Sequence, residues 1–266
     1  MTEPGNPDRF RNHFCSVTID CVHLRENGCP LSAGIWVSLD SLPESDVWLV
    51  VDLFRATTTL ASFFEHGGKC CRLAEEVEEA FSLKKLLGPG WILAGERNSL
   101  PPEGFDLGNS PRAFLFLDPG KWEGLILTTT NGTRGLLRAS RQGGTVFAAC
   151  AQNAGAAAGK ASASGSRITI LCCGQKGKPA LEDTLCAGLL VERLLSESDR
   201  RSLGNGAREA LAAWMKSGRT LEAAKESEHA RRLVELGFSE DLDFCCQIDG
   251  FQAVPRVASP QGLILS

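Results

Sequence analysis

The chain has 266 residues, 43% of them hydrophobic, and a formal net charge of −4. That is enough apolar material for a substantial core, and no basic block marks a nucleic-acid surface. An acidic protein that holds an anion must do so with a local cationic site, so arginines inside motifs weigh more than the total charge.

The stretch Met1 to Asn12 is polar and lacks a charged segment followed by an apolar one, so no signal peptide is expected. It reads as a frayed extension. Residues 13–266 read as one α/β unit, with a lobe boundary at 160–166. No apolar run reaches membrane-spanning length, and a cytoplasmic protein is the expectation. Of eleven cysteines, six stand as adjacent pairs, Cys70-Cys71, Cys172-Cys173 and Cys245-Cys246. Most lie in apolar runs, so buried reduced thiols are favoured over a disulfide scaffold or a zinc site. Cys15, Cys21 and Cys29 match no metal-ligand spacing.

Val47 to Val51 is a continuous apolar run that ends on Asp52, and Thr57 to Glu65 carries helical periodicity. Cys70 to Ala74 reads as a strand and Glu75 to Leu87 as an amphipathic helix with acids first, lysines late and Gly88-Pro89 as its stop. Strands follow at Trp91–Ala94 and Gly124–Thr128, then a helix over Thr133–Ala139. Thr145–Ala151 and Arg167–Cys173 are two more strands, separated by an alanine-rich helix after Asn153 and a loop over Lys160–Ser166. Glu182–Leu195, Ala207–Lys216 and Leu221–Leu236 read as helices, and Pro255 begins a terminal strand. Apolar strands alternating with helices predict a three-layer α/β/α fold with a mostly parallel sheet. The strand-then-threonine pattern at Thr57–Thr59 and Thr128–Thr130 points to two related lobes.

Polar motifs follow these runs, and in an α/β protein strand ends converge on one ligand site. In Thr128-Thr-Thr-Asn131-Gly132-Thr133-Arg134, glycine permits close backbone approach and the helix behind it aims free N–H groups at an anion. The same residues also suit a simple capped turn. Asp52 ends a strand with Arg55 three residues on, so it reads as a Mg²⁺ ligand, a nucleophile, or half of a structural ion pair. The paired-aspartate signature of haloacid dehalogenase phosphatases is absent, because position 54 is Phe. Glu96-Arg97, Asp106 to Asn109 and Glu182-Asp183 add more acids than one Mg²⁺ needs.

The strings Val50-Val-Asp-Leu-Phe-Arg-Ala-Thr-Thr-Thr59, Ala94-Gly-Glu-Arg97, Glu103-Gly-Phe-Asp-Leu-Gly-Asn-Ser-Pro111, Leu127-Thr-Thr-Thr-Asn-Gly-Thr-Arg134 and Leu181-Glu-Asp-Thr-Leu-Cys-Ala-Gly188 resemble the 2-phosphosulfolactate phosphatases. Ser227-Glu-His-Ala-Arg-Arg-Leu233 does too. The chain departs from the usual pattern at Asn98-Ser99, where a glycine pair is common, and at Lys178-Pro-Ala. The resemblance implies Mg²⁺-dependent hydrolysis of 2-phospho-3-sulfolactate to 3-sulfolactate and phosphate, a step of the kind used in coenzyme M biosynthesis. On that reading Asp52, Arg55, Glu96 and Arg97 are the catalytic candidates. Thr129, Thr130, Asn131, Gly132, Thr133, Arg134 and Asn109 are the substrate-binding candidates, and Asp52, Glu96, Asp106 and Glu182 the metal candidates. The expected partner is a small anionic phosphorylated substrate, with no nucleic acid and no membrane, and a homo-oligomer stays open. Two alternatives remain: a phosphatase for another phosphorylated hydroxy acid, and a non-catalytic anion-binding protein.

Overall fold

The computed structural model describes residues 17–25, 36–38, 42–117, 121–196 and 201–266. The extension at 1–12, Cys15 and Cys29 lie outside them. Eleven strands form one sheet: β1 (Val17–Arg25), β2 (Trp36–Ser38), β3 (Val47–Val51), β4 (Cys71–Leu73), β5 (Trp91–Gly95), β6 (Gly124–Thr128), β7 (Thr145–Ala149), β8 (Arg167–Cys172), β9 (Arg201–Leu203), β10 (Arg256–Val257) and β11 (Leu263–Leu265). The helices are α1 (Ala56–Glu65), α2 (Val77–Leu87), α3 (Gly132–Arg141), α4 (Ala154–Ser164), α5 (Leu181–Ser196), α6 (Asn205–Lys216), α7 (Glu228–Glu235) and α8 (Ser239–Cys245).

Strand order is β2-β1-β8-β3-β7-β10-β11-β4-β6-β5, with β9 also on β1. The first five of these strands pair in parallel, as do β4, β6 and β5. The short C-terminal strands β10 and β11 join the two parallel blocks through antiparallel pairings. The fold is therefore α/β with a mostly parallel sheet, as the alternating pattern predicts.

Residues of the central strands alternate between two cores, as the two-residue period of a strand requires. Val47, Leu49 and Val51 of β3 enter one core with Ile168 and Ile170 of β8, beneath α4, α5 and α6. Trp48 and Val50 enter the other, with Leu60 of α1 and Leu136 of α3. That second core also takes Leu73, Ile92, Leu125 and Leu127 from the other parallel block. Both blocks contribute to this core, and the ends of β3 and β6 come close enough that Gly132 packs against Ala56 and Asp52. α5 and α6 touch backbone to backbone at Gly188, where an added Cβ would lie 2.2 Å from the Ala210 carbonyl oxygen.

Four stretches differ from the sequence pattern. Lys160 to Ser164 is the last part of α4 rather than loop. There Ser162 and Ser164 return their hydroxyls to the carbonyls of Ala158 and Lys160, so small polar residues are tolerated within the helix. Leu221–Leu236 is broken at Ser227, whose backbone is extended and whose hydroxyl accepts from Ala230 N–H to start α7. Strand β1 and helix α8 were not expected. No helix among the described residues is long and apolar enough to cross a membrane. The nine described cysteines are all thiols, seven of them buried.

Candidate active site

Two strand-to-helix corners build the site. At the first, β3 delivers Asp52, only 8% exposed, to the start of α1. Thr57 Oγ1 accepts from Asp52 N–H at 3.1 Å and donates to the Asp52 carbonyl at 2.9 Å, closing the corner on itself. Thr58 and Thr59 donate to the carbonyls of Leu53 and Asn109, so the threonine cluster of α1 is spent inside the protein. The Asp52 carboxylate accepts only a long contact, 3.4 Å, from Ala56 N–H. The Phe54–Arg55 peptide bond is cis.

The second corner joins β6 to α3 and repeats the lock. Thr133 Oγ1 accepts from Thr129 N–H at 3.1 Å and donates to its carbonyl at 2.8 Å, while Thr129 Oγ1 accepts from Thr133 N–H at 3.1 Å. Thr129 and Thr133 are therefore buried partners of each other, not an open cradle. Thr130 and Asn131 do face a cavity of about 680 Å³. Asn131 stands at the N-cap of α3 without a side-chain capping bond, so its amide is left for a ligand. Glu96 holds this corner in place: Oε1 accepts from Thr130 N–H at 2.7 Å and Oε2 from Ser99 N–H at 2.8 Å. The corners meet at Gly132, where a Cβ would sit 2.4 Å from Ala56 Cβ and 2.7 Å from Asp52 Oδ2. No side chain fits there.

The carboxylates crowd. Burial raises the Asp52 carboxyl to about 6, Glu96 and Glu182 push the same way, and His229 opposes them. Asp183 is raised well above the usual carboxylate range by burial and by Asp52 and Glu182, although it accepts from Leu53 N–H and Gly174 N–H at 2.9 and 2.8 Å. Glu182 is 1% exposed and its Oε1 lies 3.1 Å from His229 Nδ1. Its Oε2, and Oδ1 of Asn109, are buried without a hydrogen-bond partner. Asn109 and His229 line the cavity.

The expected arginines are placed differently. Arg55 lines the cavity, but its guanidinium donates to Asp241 at 2.7 Å and to the Ser99 carbonyl at 3.0 Å, and stacks 4.3 Å over the Phe238 ring. Arg97 donates to the carbonyls of Glu96 and Glu75 and to Thr128 Oγ1. Arg134 pairs with Glu76 at 2.6 Å. Neither Arg97 nor Arg134 lines the cavity. Asp106 is spent on Leu93 N–H and Lys84, away from the site.

The cavity's cations come instead from Lys176 and from Arg231 and Arg232 of α7. Arg232 has Glu235 at 3.2 Å, whereas among the described residues no ion pair engages Lys176 or Arg231. Two reciprocal turns shape the rim. Arg97 and Leu100 exchange backbone hydrogen bonds around Asn98 and Ser99, and Gln175 and Lys178 do so around Lys176 and Gly177. All four central residues have positive φ, the geometry of a tight hairpin turn, which glycine takes easily and serine does not. Lys176 is the fallback sulfonate ligand that the sequence also offers, with Lys178 and His229, whereas Arg231 is missed; its signal is Ser227 followed by Glu228, a helix start.

Hard oxygen donors with two unpartnered buried oxygens suit a small hard cation, and the crowding of Asp52, Asp183 and Glu182 is what such an ion would offset. The family model of 2-phosphosulpholactate phosphatase matches residues 37–260. A probable 2-phosphosulfolactate phosphatase of Pseudothermotoga lettingae is 38% identical over 219 residues, covering 81% of this chain and 91% of the relative. Its counterparts in Deinococcus radiodurans and Thermus thermophilus are each 38% identical, over 82% and 81% of this chain and 92% and 90% of their own lengths. With the motifs at both corners carried on a matching 224-residue span, the chain belongs to the 2-phosphosulpholactate phosphatase family.

Proposed function

We propose that this chain is a phosphoric monoester hydrolase that releases phosphate from 2-phospho-3-sulfolactate. The observation that carries the reading is the meeting of Asp52, the open N-terminus of α3 and the cations Lys176 and Arg231 around one cavity. The phosphate sits at Thr130, Asn131 and the first N–H groups of α3, where the helix dipole favours an anion. Arg231 and Lys176 take the carboxylate and sulfonate. Asp52 attacks phosphorus or takes the proton of the attacking water, a role suited to a carboxyl that burial holds at about 6. His229, with Nδ1 on Glu182, keeps Nε2 for the cavity and gives the leaving alkoxide its proton. Arg55 holds the rim turn against α8 rather than the substrate.

Asp52, Glu182 and Asn109 would hold Mg²⁺, with Glu96 and Asp183 behind them. The ion would offset phosphoryl charge and polarise the ester for displacement. The product, 3-sulfolactate, is the kind of intermediate that a route to coenzyme M consumes.

The test is phosphate release from 2-phospho-3-sulfolactate, phospholactate, phosphoglycolate and p-nitrophenyl phosphate, each with Mg²⁺ and with EDTA. The reading expects Mg²⁺-dependent release that is fastest with the sulfonated ester. Equal rates on all four make the enzyme a general phosphatase, and no release with any of them leaves an anion-binding protein.

A further inference from the structure

Beyond the phosphatase site, a second cluster lies on the neighbouring strands. Strand β1 pairs with β8 so that His23 stands opposite Cys172, with Cys21 two residues earlier on the same face of the sheet. Cys21 and Cys172 are almost wholly buried, and their Sγ atoms lie 3.7 Å apart. Together with a ring nitrogen of His23, one ligand atom from each residue falls within 4.8 Å of the others. His23 is partly exposed.

We propose that Cys21, His23 and Cys172 form a binding site for a thiophilic divalent cation, Zn²⁺ in chemical class. Two thiolates bound at about 2.3 Å and set at the tetrahedral angle lie roughly 3.8 Å apart. The observed sulfur separation already matches that edge. Two sulfurs and an imidazole suit Zn²⁺ and reject Mg²⁺, which prefers oxygen donors. Three protein ligands leave a fourth position for water. Binding releases the two thiol protons to solvent and involves no change of oxidation state. The site lies next to catalysis: Cys172 ends β8 two residues before Gly174, whose N–H the Asp183 carboxylate holds together with that of Leu53. A cation here fastens β1 to the β8–α5 corner that supports Asp52.

The test uses the full chain, reduced, stripped with chelator and titrated with Zn²⁺ against a chromophoric competitor, then separately with Co²⁺. The expected result is one Zn²⁺ per chain and, with Co²⁺, a thiolate-to-metal charge-transfer band that excess Mg²⁺ does not displace. Cys21→Ser and His23→Gln should each weaken Zn²⁺ by at least about tenfold, since even residues behind a ligand are worth that much. Cys21→Ser should also cut the cobalt band. Far-ultraviolet circular dichroism checks that these variants are folded, and Cys172→Ser, at a more tightly packed position, is a third. Wild-type protein that gives no thiolate band overturns the proposal, and so does a band unchanged in Cys21→Ser. A reduced chain that binds no Zn²⁺ but forms a Cys21–Cys172 disulfide in air also overturns it, and makes the pair a redox couple.

Discussion

The corners after β3 and β6 are built alike and used differently. Each is locked by a threonine of the following helix that bonds back to both backbone groups of the strand's end, Thr57 to Asp52 and Thr133 to Thr129. At the first corner the remaining hydroxyls turn inward to carbonyls and only the Asp52 carboxylate is left for chemistry. At the second, the residues between lock and strand, Thr130 and Asn131, stay open to the cavity. On the proposed reading, one corner supplies a reactive acid and the other an anion seat. The lesson is that a threonine-rich strand end is not by itself a phosphate cradle; what counts is which hydroxyls and N–H groups the lock leaves over.

The largest expected effect breaks the support of the first corner. Asp241→Ala removes the partner of buried Arg55 and of Ser110 Oγ, which donates to Asp241 at 2.6 Å. An unpaired buried guanidinium should cost about 3–5 kcal/mol of stability in urea unfolding. A loss under about 1 kcal/mol would mean that water reaches the pair.

Gly132→Ala wedges the corners apart by volume alone, adding no charge and no hydrogen-bonding group. The added methyl overlaps Ala56 and Asp52, so kcat should fall about a hundredfold, as displacements near 1 Å at a reaction centre do. Unchanged kcat would show that the corners work independently.

The third prediction sharpens the assignment of charge. Arg231→Ala should raise KM for the sulfonated ester about ten- to a hundredfold, the worth of one charge-assisted contact, with kcat little changed. Arg134→Ala, whose guanidinium already holds Glu76, should leave both constants within about twofold. The reverse result would move the anion site to the outer face of α3.

The smallest effect concerns the rim. Ser99 has φ +71, so Ser99→Gly should raise stability by about 0.5–1 kcal/mol, the relieved strain being partly offset by glycine's unfolded-state entropy. A lower melting temperature would show that the serine side chain contributes something the backbone strain hides.

Much of this was legible in the chain. Apolar runs ending in Asp52 and in Thr128 located both corners, because strands buried on both faces read as continuous hydrophobic stretches. The partners of charged residues were not legible. Arg55, Arg97 and Arg134 sit in similar motifs, yet one meets Asp241, 186 positions away, one meets mostly backbone carbonyls, and one meets a surface glutamate. Those pairings depend on which distant segments the fold brings beside each arginine, which no local pattern encodes. The cationic wall was hidden for a different reason: Leu221–Leu236 keeps helical periodicity across Ser227, and the break that turns Arg231 toward the cavity is a cap, not a change of composition. Strand β1 carries alternating Val17, Ile19 and Cys21, but the pattern is short and interrupted by Asp20 and His23.

The central claim, that Asp52 is the reactive acid of a site shared by both corners, is tested most directly by Asp52→Asn at saturating Mg²⁺. Phosphate release from 2-phospho-3-sulfolactate should fall by at least about a hundredfold. The melting temperature measured without Mg²⁺ should hold or rise, because the substitution removes a charge that burial and the acids Glu96 and Glu182 disfavour. Turnover near that of the unaltered chain, with the same melting temperature, would make Asp52 a structural residue and contradict the account.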